Sequence, residues 1–183
     1  MSMITDELYE CFKTNLEAVG GSCVRSSKAE LGKTVANLFK GIDIADACLV
    51  ESPLFAEAGV KAAMEAAGIE THTDHIRLHG ETDKGGISEA QYGIAELGTL
   101  VQVSDNIDAR IAAIMPEYYI GVVKGSAIVP EYDEMFFKLA QLPEIPGFMG
   151  FITGPSRTAD IECVSTIGVH GPLKLTAIVV DDE

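Results

Sequence analysis

The sequence is short of positive charge. Thirteen lysines and arginines stand against 28 aspartates and glutamates in 183 residues, a formal charge of −15 at pH 7. Nucleic-acid binding depends on neutralising phosphates with basic side chains. With no basic run present, neither a nucleic-acid partner nor an anionic membrane surface is expected. A small anionic ligand is compatible, because one or two well-placed cations suffice. Cysteine is also sparse. Cys11, Cys23, Cys48 and Cys163 are scattered with no C-x-x-C pair. They read as reduced, mostly buried thiols, and an iron–sulfur cluster, which needs converging thiolates, is not expected on this chain. No apolar run reaches spanning length, no basic-then-apolar signal pattern opens the chain, and no G-x-G-x-x-G follows a strand. The expectation is a cytoplasmic protein with no membrane insertion and no cofactor bound by this chain.

What remains is ordinary globular material, with 47% hydrophobic and 22% charged residues and a length that suits one domain over 1–183. Leu8, Cys11, Phe12, Leu16 and Val19 recur at helical spacing and predict a helix over 6–19, stopped by Gly20-Gly21. A strand is expected at 22–25. Ser27 to Glu30 has the form of a capping box and opens a second helix with Leu31, Val35, Leu38 and Phe39 on its apolar face. Ala47 to Val50 reads as a buried strand. Ser52-Pro53 then starts a helix that runs to Gly68. Further strands are expected at 69–74, 98–104, 118–124, 126–129, 148–153 and 173–180. Helices are expected at 88–97, capped by Ser88, at 131–142 and at 156–163, with a polar loop at 78–87. Strands alternating with helices imply an α/β, Rossmann-like fold with a largely parallel sheet and helices on both faces. Ligands in such sheets bind beyond the carboxyl ends of the strands, where the two motifs discussed next are expected.

The first motif is "ITGPSRTADIE", Ile152 to Glu162. Arg157 follows a Gly-Pro turn at a predicted helix start, where the dipole disfavours a cation and favours an anion. Ser156, Thr158 and the guanidinium fork together suit a carboxylate or phosphate. An Arg157–Asp160 pair on one helix face is the structural alternative. The second motif is "GISEAQYGIAELGTLV", Gly86 to Val101. Glu96 stands beside Gly98-Thr99, where desolvation would suit a base or nucleophile; a solvated helix end is the plainer reading. His170, in "GVHGP", is either an acid–base group or a turn residue. "THTDHIRLH" contributes His72, Asp74, His75 and His79, but neither helix nor strand spacing aligns all of them, so no metal site is expected. Gly32-Lys33-Thr34 lies inside a predicted helix and lacks the context of a phosphate loop.

Taken together, "GISEAQYGIAELGTLV", "ITGPSRTADIE" and "GVHGPLKLTAIVV" resemble the LUD-domain family of lactate-utilisation proteins, with the strongest motifs over 85–180. The resemblance implies a fold like that of glucosamine-6-phosphate deaminase, ribose-5-phosphate isomerase and the coenzyme A transferases. It implies a part in oxidising L-lactate to pyruvate beside partner proteins that carry iron–sulfur clusters, this chain being the cluster-free one. By motif, Glu96 and His170 would be catalytic, and Gly98, Thr99, Ser156, Arg157 and Asp160 would bind a small anionic substrate of the lactate or pyruvate class. Leu97 stands where the family has threonine, and Ser88 stands near a Gly-(Val/Ile)-Thr position. The competing reading is a stand-alone enzyme or binding protein for a sugar phosphate or acyl thioester, using Glu96 and an anion site at Arg157.

Overall fold

The computed structural model describes residues 4–144, 146–160 and 162–181. Helix α1 (Asp6–Ala18) is capped by Thr5, whose hydroxyl accepts the Leu8 N–H, and buries Tyr9, Phe12 and Leu16. Strand β1 (Ser22–Ser26) follows, then α2 (Leu31–Lys40) and β2 (Asp46–Leu49). Ser52 caps α3 (Pro53–Glu57), but the expected long helix breaks at Gly59 (φ +62°) and resumes as α4 (Val60–Ala66). The chain then forms β3 (Glu70–His72), the four-residue α5 (Ile76–His79), β4 (Gly85–Ala90), β5 (Tyr92–Ile94) and β6 (Thr99–Val103). A helix not expected from the sequence, α6 (Ile107–Ile114), is capped by the Asn106 side chain. After it come β7 (Tyr118–Lys124), a short 3₁₀ turn, β8 (Ile128–Val129), α7 (Tyr132–Ala140), β9 (Met149–Ile152), β10 (Arg157–Thr158), β11 (Thr166–Ile167) and β12 (Lys174–Val180).

Six strands pair in the order β1-β12-β7-β4-β2-β3, and every pairing is parallel. Side chains alternate across this sheet with period two. Tyr118, Ile120 and Val122 of β7 join the core under α2, α3 and α4; Tyr119 and Val123 join the core under α1. Helices therefore cover both faces, as an all-parallel sheet requires. A second sheet, β8-β5-β6-β9, sits on the α1 side. Leu100 of β6 points into the α1 core, while Ile94, Val101 and Val129 meet Met135 and Leu139 of α7.

Two expected helices are strands. The stretch 88–97 is the end of β4, then β5 and a turn; Ser88 is a buried strand residue, not a cap. The stretch 156–163 carries β10, paired antiparallel with β11 through Arg157–Ile167 and Thr158–Thr166. Among the described residues, no helix is long and apolar enough to cross a membrane.

Candidate functional site

Between β9 and β12 the chain makes an excursion that folds back on itself. Ser156 uses both its backbone groups across this excursion. Its N–H donates to the Pro172 carbonyl (3.0 Å), and its carbonyl accepts the Gly168 N–H (2.9 Å). With those groups engaged, a helix cannot start at Ser156, and the ribbon forms instead. The "GPSR" and "GVHGP" turns consequently lie against each other. Gly171 packs so closely that a β-carbon there would stand 3.0 Å from Ser156 Cβ. His170 Nε2 faces Asp160 Oδ2 at 3.6 Å, both side chains largely exposed.

These turns form the rim of a cavity of about 320 Å³, with Thr153, Ser156 and His170 at the edge and Ile114, Phe148 and Phe151 as apolar wall. Its polar lining includes Gln102, which is buried. The Gln102 amide donates to Ser88 Oγ (3.1 Å) and the Ala109 carbonyl (3.2 Å), and Ser88 Oγ shares a hydrogen bond with the Tyr119 hydroxyl (2.9 Å). Burial pushes that hydroxyl up to about 12, so Tyr119 stays neutral at physiological pH. Gln102 and the apolar wall escaped the sequence reading. The only signal for Gln102 was a polar side chain inside the apolar strand pattern "TLVQV".

The cavity lies at the amino ends of the parallel strands, not the expected carboxyl ends. Pro172 precedes β12, and the Leu173 N–H donates to the carbonyl of Glu117, which precedes β7. Arg157 lies at the same edge. It occupies a strand rather than a helix's first turn, so the dipole argument for an anion at its position does not hold. Its guanidinium donates to the Val19 carbonyl just before β1. Among the described residues it forms no ion pair with Asp160 or any other carboxylate; Asp160 faces His170 instead.

The other implied residues are held nearby by different means. Thr99 is buried, and its hydroxyl shares a 2.6 Å hydrogen bond with that of Thr153 on the cavity rim. Gly98 (φ +60°) lies hard against α1, where a β-carbon would stand 2.1 Å from the Leu16 nitrogen. Only glycine satisfies both the backbone angle and that approach. Glu96 is exposed and does not line the cavity. Its Oε2 accepts the Tyr132 N–H (2.9 Å), capping α7, and its own N–H donates to the Pro130 carbonyl (3.0 Å). The structure thus gathers Ser156, Asp160 and His170, links Thr99 to them through Thr153, and leaves Glu96 and Gly98 in the β5–β6 turn.

A larger cavity, about 530 Å³, opens between β1, α2 and β12 and holds none of the candidate catalytic or binding residues. The histidine run behaves as local spacing could not show. His75 is exposed, but α5 folds back so that the rings of His72 and His79 stack at 3.6 Å and 10°.

This is an α/β domain with a parallel six-stranded sheet, a small second sheet and a cleft at the amino edge. The fold is shared with a DUF162 family protein from Deinococcus radiodurans, at a TM-score of 0.69 and 22% identity, covering 95% of this chain and 96% of that one. The LUD domain family profile matches residues 9–180, and the chain belongs to that family. Similar proteins include "Lactate utilization protein C" of Halalkalibacterium halodurans, 32% identical over 87% of this chain and 74% of that one. "Lactate utilization protein C 1" of Bacillus mycoides is 31% identical over 97% of this chain and 81% of that one.

Proposed function

We propose that this chain serves lactate utilisation by holding a small 2-hydroxy or 2-oxo acid in the cleft edged by Thr153, Ser156 and His170. The observation that carries the reading is the convergence of the "GPSR" and "GVHGP" turns on one cavity with an apolar wall. The names of the relatives supply the substrate class. In this reading the methyl group of lactate packs on Phe148 or Phe151. The carboxylate and hydroxyl meet Ser156 and His170, and Asp160 steadies the imidazole as it takes up the hydroxyl proton. Arg157 holds the ribbon against α1 and turns toward the carboxylate only if the Val19 contact opens. Oxidation of lactate to pyruvate releases two electrons and two protons. The hydroxyl proton goes to His170, and the C2 hydrogen with its bonding pair would go to a two-electron carrier in partner proteins that assemble with this chain, whose iron–sulfur clusters would then take the electrons singly. Glu96, Gly98 and Thr99 shape the neighbouring turn from the far side of the Thr99–Thr153 hydrogen bond.

Calorimetric titration with L-lactate, pyruvate and a sugar phosphate tests the site. Lactate or pyruvate should bind wild type, and His170→Gln should weaken binding by about tenfold or more, the loss of one hydrogen bond to a charged group. Preference for the sugar phosphate, or unchanged lactate binding by His170→Gln, overturns the assignment. Affinity purification from lactate-grown cells should bring down iron–sulfur proteins.

A further inference from the structure

Away from the cleft, at the β2–β3 edge of the large sheet, three ligating side chains meet. We propose that His72, His79 and Asp83 form a binding site for a divalent transition-metal ion of the zinc class. One ligand atom from each residue lies within 4.8 Å of the other two. The sequence separates them, and three different elements deliver them. His72 ends β3, His79 ends the four-residue α5, and Asp83 sits in the loop before β4. Two turns of backbone hold that loop in place, since the Thr82 and Asp83 N–H groups both donate to the His79 carbonyl (2.9 and 2.8 Å).

The donor set is that of a three-ligand site: two imidazoles and one carboxylate, with the remaining position left to solvent or a small ligand. Metal–nitrogen and metal–oxygen bonds of about 2.0–2.2 Å place tetrahedral ligand atoms about 3.4 Å apart. The present cluster needs a closure on the order of 1 Å, within reach of side-chain rotation at His79, which is only half-buried. Asp83, by contrast, is buried and fixed, with its Oδ2 2.8 Å from His72 Nδ1 and 3.3 Å from the Cys48 thiol.

A second observation points the same way. A metal-bound imidazole ordinarily gives its other ring N–H to a carboxylate, which sets the tautomer. His72 has that arrangement ready. Nδ1 faces Asp83, and Nε2 faces Glu70 Oε1 at 3.4 Å. One imidazole flanked by two carboxylates suits a ligand with a co-ligand on one side and an orienting partner on the other. His72 and His79 now stack at 3.6 Å and 10°, so His79 must turn out of that stack for the in-plane lone pairs of both rings to reach one ion.

The test uses untagged full-length protein, dialysed against a chelator and then titrated with Zn²⁺ by calorimetry and with Co²⁺ by visible absorption. Wild type should take up one equivalent of each, and Co²⁺ should show ligand-field bands. His79→Gln, at a half-buried position, should lose that binding while keeping its circular dichroism spectrum. Glu70→Gln should bind about 10–100-fold more weakly. His75→Gln should bind as wild type does. Asp83→Asn serves as a fourth arm if it folds; His79→Gln decides if it does not. No saturable uptake by wild type, equal affinity in His79→Gln, or loss of binding in His75→Gln overturns the site.

Discussion

Two histidines in this molecule each face an aspartate, in opposite surroundings. His72 Nδ1 lies 2.8 Å from Asp83, with side chains 21% and 4% exposed. His170 Nε2 lies 3.6 Å from Asp160, with side chains 67% and 76% exposed. Water screens the second pair and barely reaches the carboxylate of the first. The hydrogen bond that His72 donates to Asp83 raises the His72 pKa above the ordinary histidine value, against a smaller opposing effect of burial. The same two residue types thus serve different ends. The closed pair ties a strand end to a loop and orders both. The open pair leaves its imidazole exposed to solvent at the cavity rim.

The sharpest way to break this comparison is Asp83→Ala in metal-free buffer. It leaves His72 Nδ1 and the Cys48 thiol without their acceptor, and should cost about 3 kcal/mol, as for one partner lost from a buried pair. Urea unfolding measures it, and a loss under about 0.5 kcal/mol would make the two pairs equivalent. The next test varies pH. His72 holds its proton more tightly folded than unfolded, so its contribution is full below about pH 6.5 and is lost as pH rises through the raised folded value. The stability gap between wild type and His72→Gln should therefore narrow as pH rises from about 6 to about 9. A gap that widens over that range refutes the assignment. Arg157→Ala, which frees the ribbon carrying Asp160 from the Val19 carbonyl, should cost about 1 kcal/mol. The smallest change is expected from Asp160→Ala: about 0–0.5 kcal/mol in thermal unfolding, with a measurable drop in lactate affinity. A stability loss as large as that of Asp83→Ala would show that the open pair is structural after all.

The strands at the centre of the large sheet were legible because they are continuous apolar runs, as in "YYIGVVK" and "KLTAIVV". Strand β4 was not. "GGISEA" carries two glycines and a glutamate, and Ser88 looks like a helix cap. The glycines are there because neighbours leave no room: a β-carbon on Gly86 would stand 2.0 Å from the Ala112 carbonyl oxygen. That neighbour belongs to α6, the helix missed in the sequence although Asn106 caps it with a 2.8 Å bond to the Asp108 N–H. At the cleft, the residue types and motifs were readable, but their meeting was not. Ser156 reaches Pro172 and His170 reaches Asp160 through turns whose geometry is set by distant backbone partners. Asp83 was overlooked for the same reason, since only the fold-back of α5 brings it to the histidines. A helical Arg157 was the most consequential misreading, because it rested on local cap chemistry that tertiary hydrogen bonds override.

The pairing of β1 with β12 has a consequence for how the chain is made. Ser22 lies beside Thr176, and β12 occupies the slot between β1 and β7. On a ribosome, β1 emerges early and then waits without a sheet partner until β12 appears. Until that strand arrives, β1 and β7 each present an open hydrogen-bonding edge, the kind of surface that invites pairing with another chain. Closing so long a loop is also slow compared with forming local helices. The last strand therefore acts as a keystone: a chain stopped before Lys174 would retain most of its helices yet lack the piece that joins the first strand to the rest.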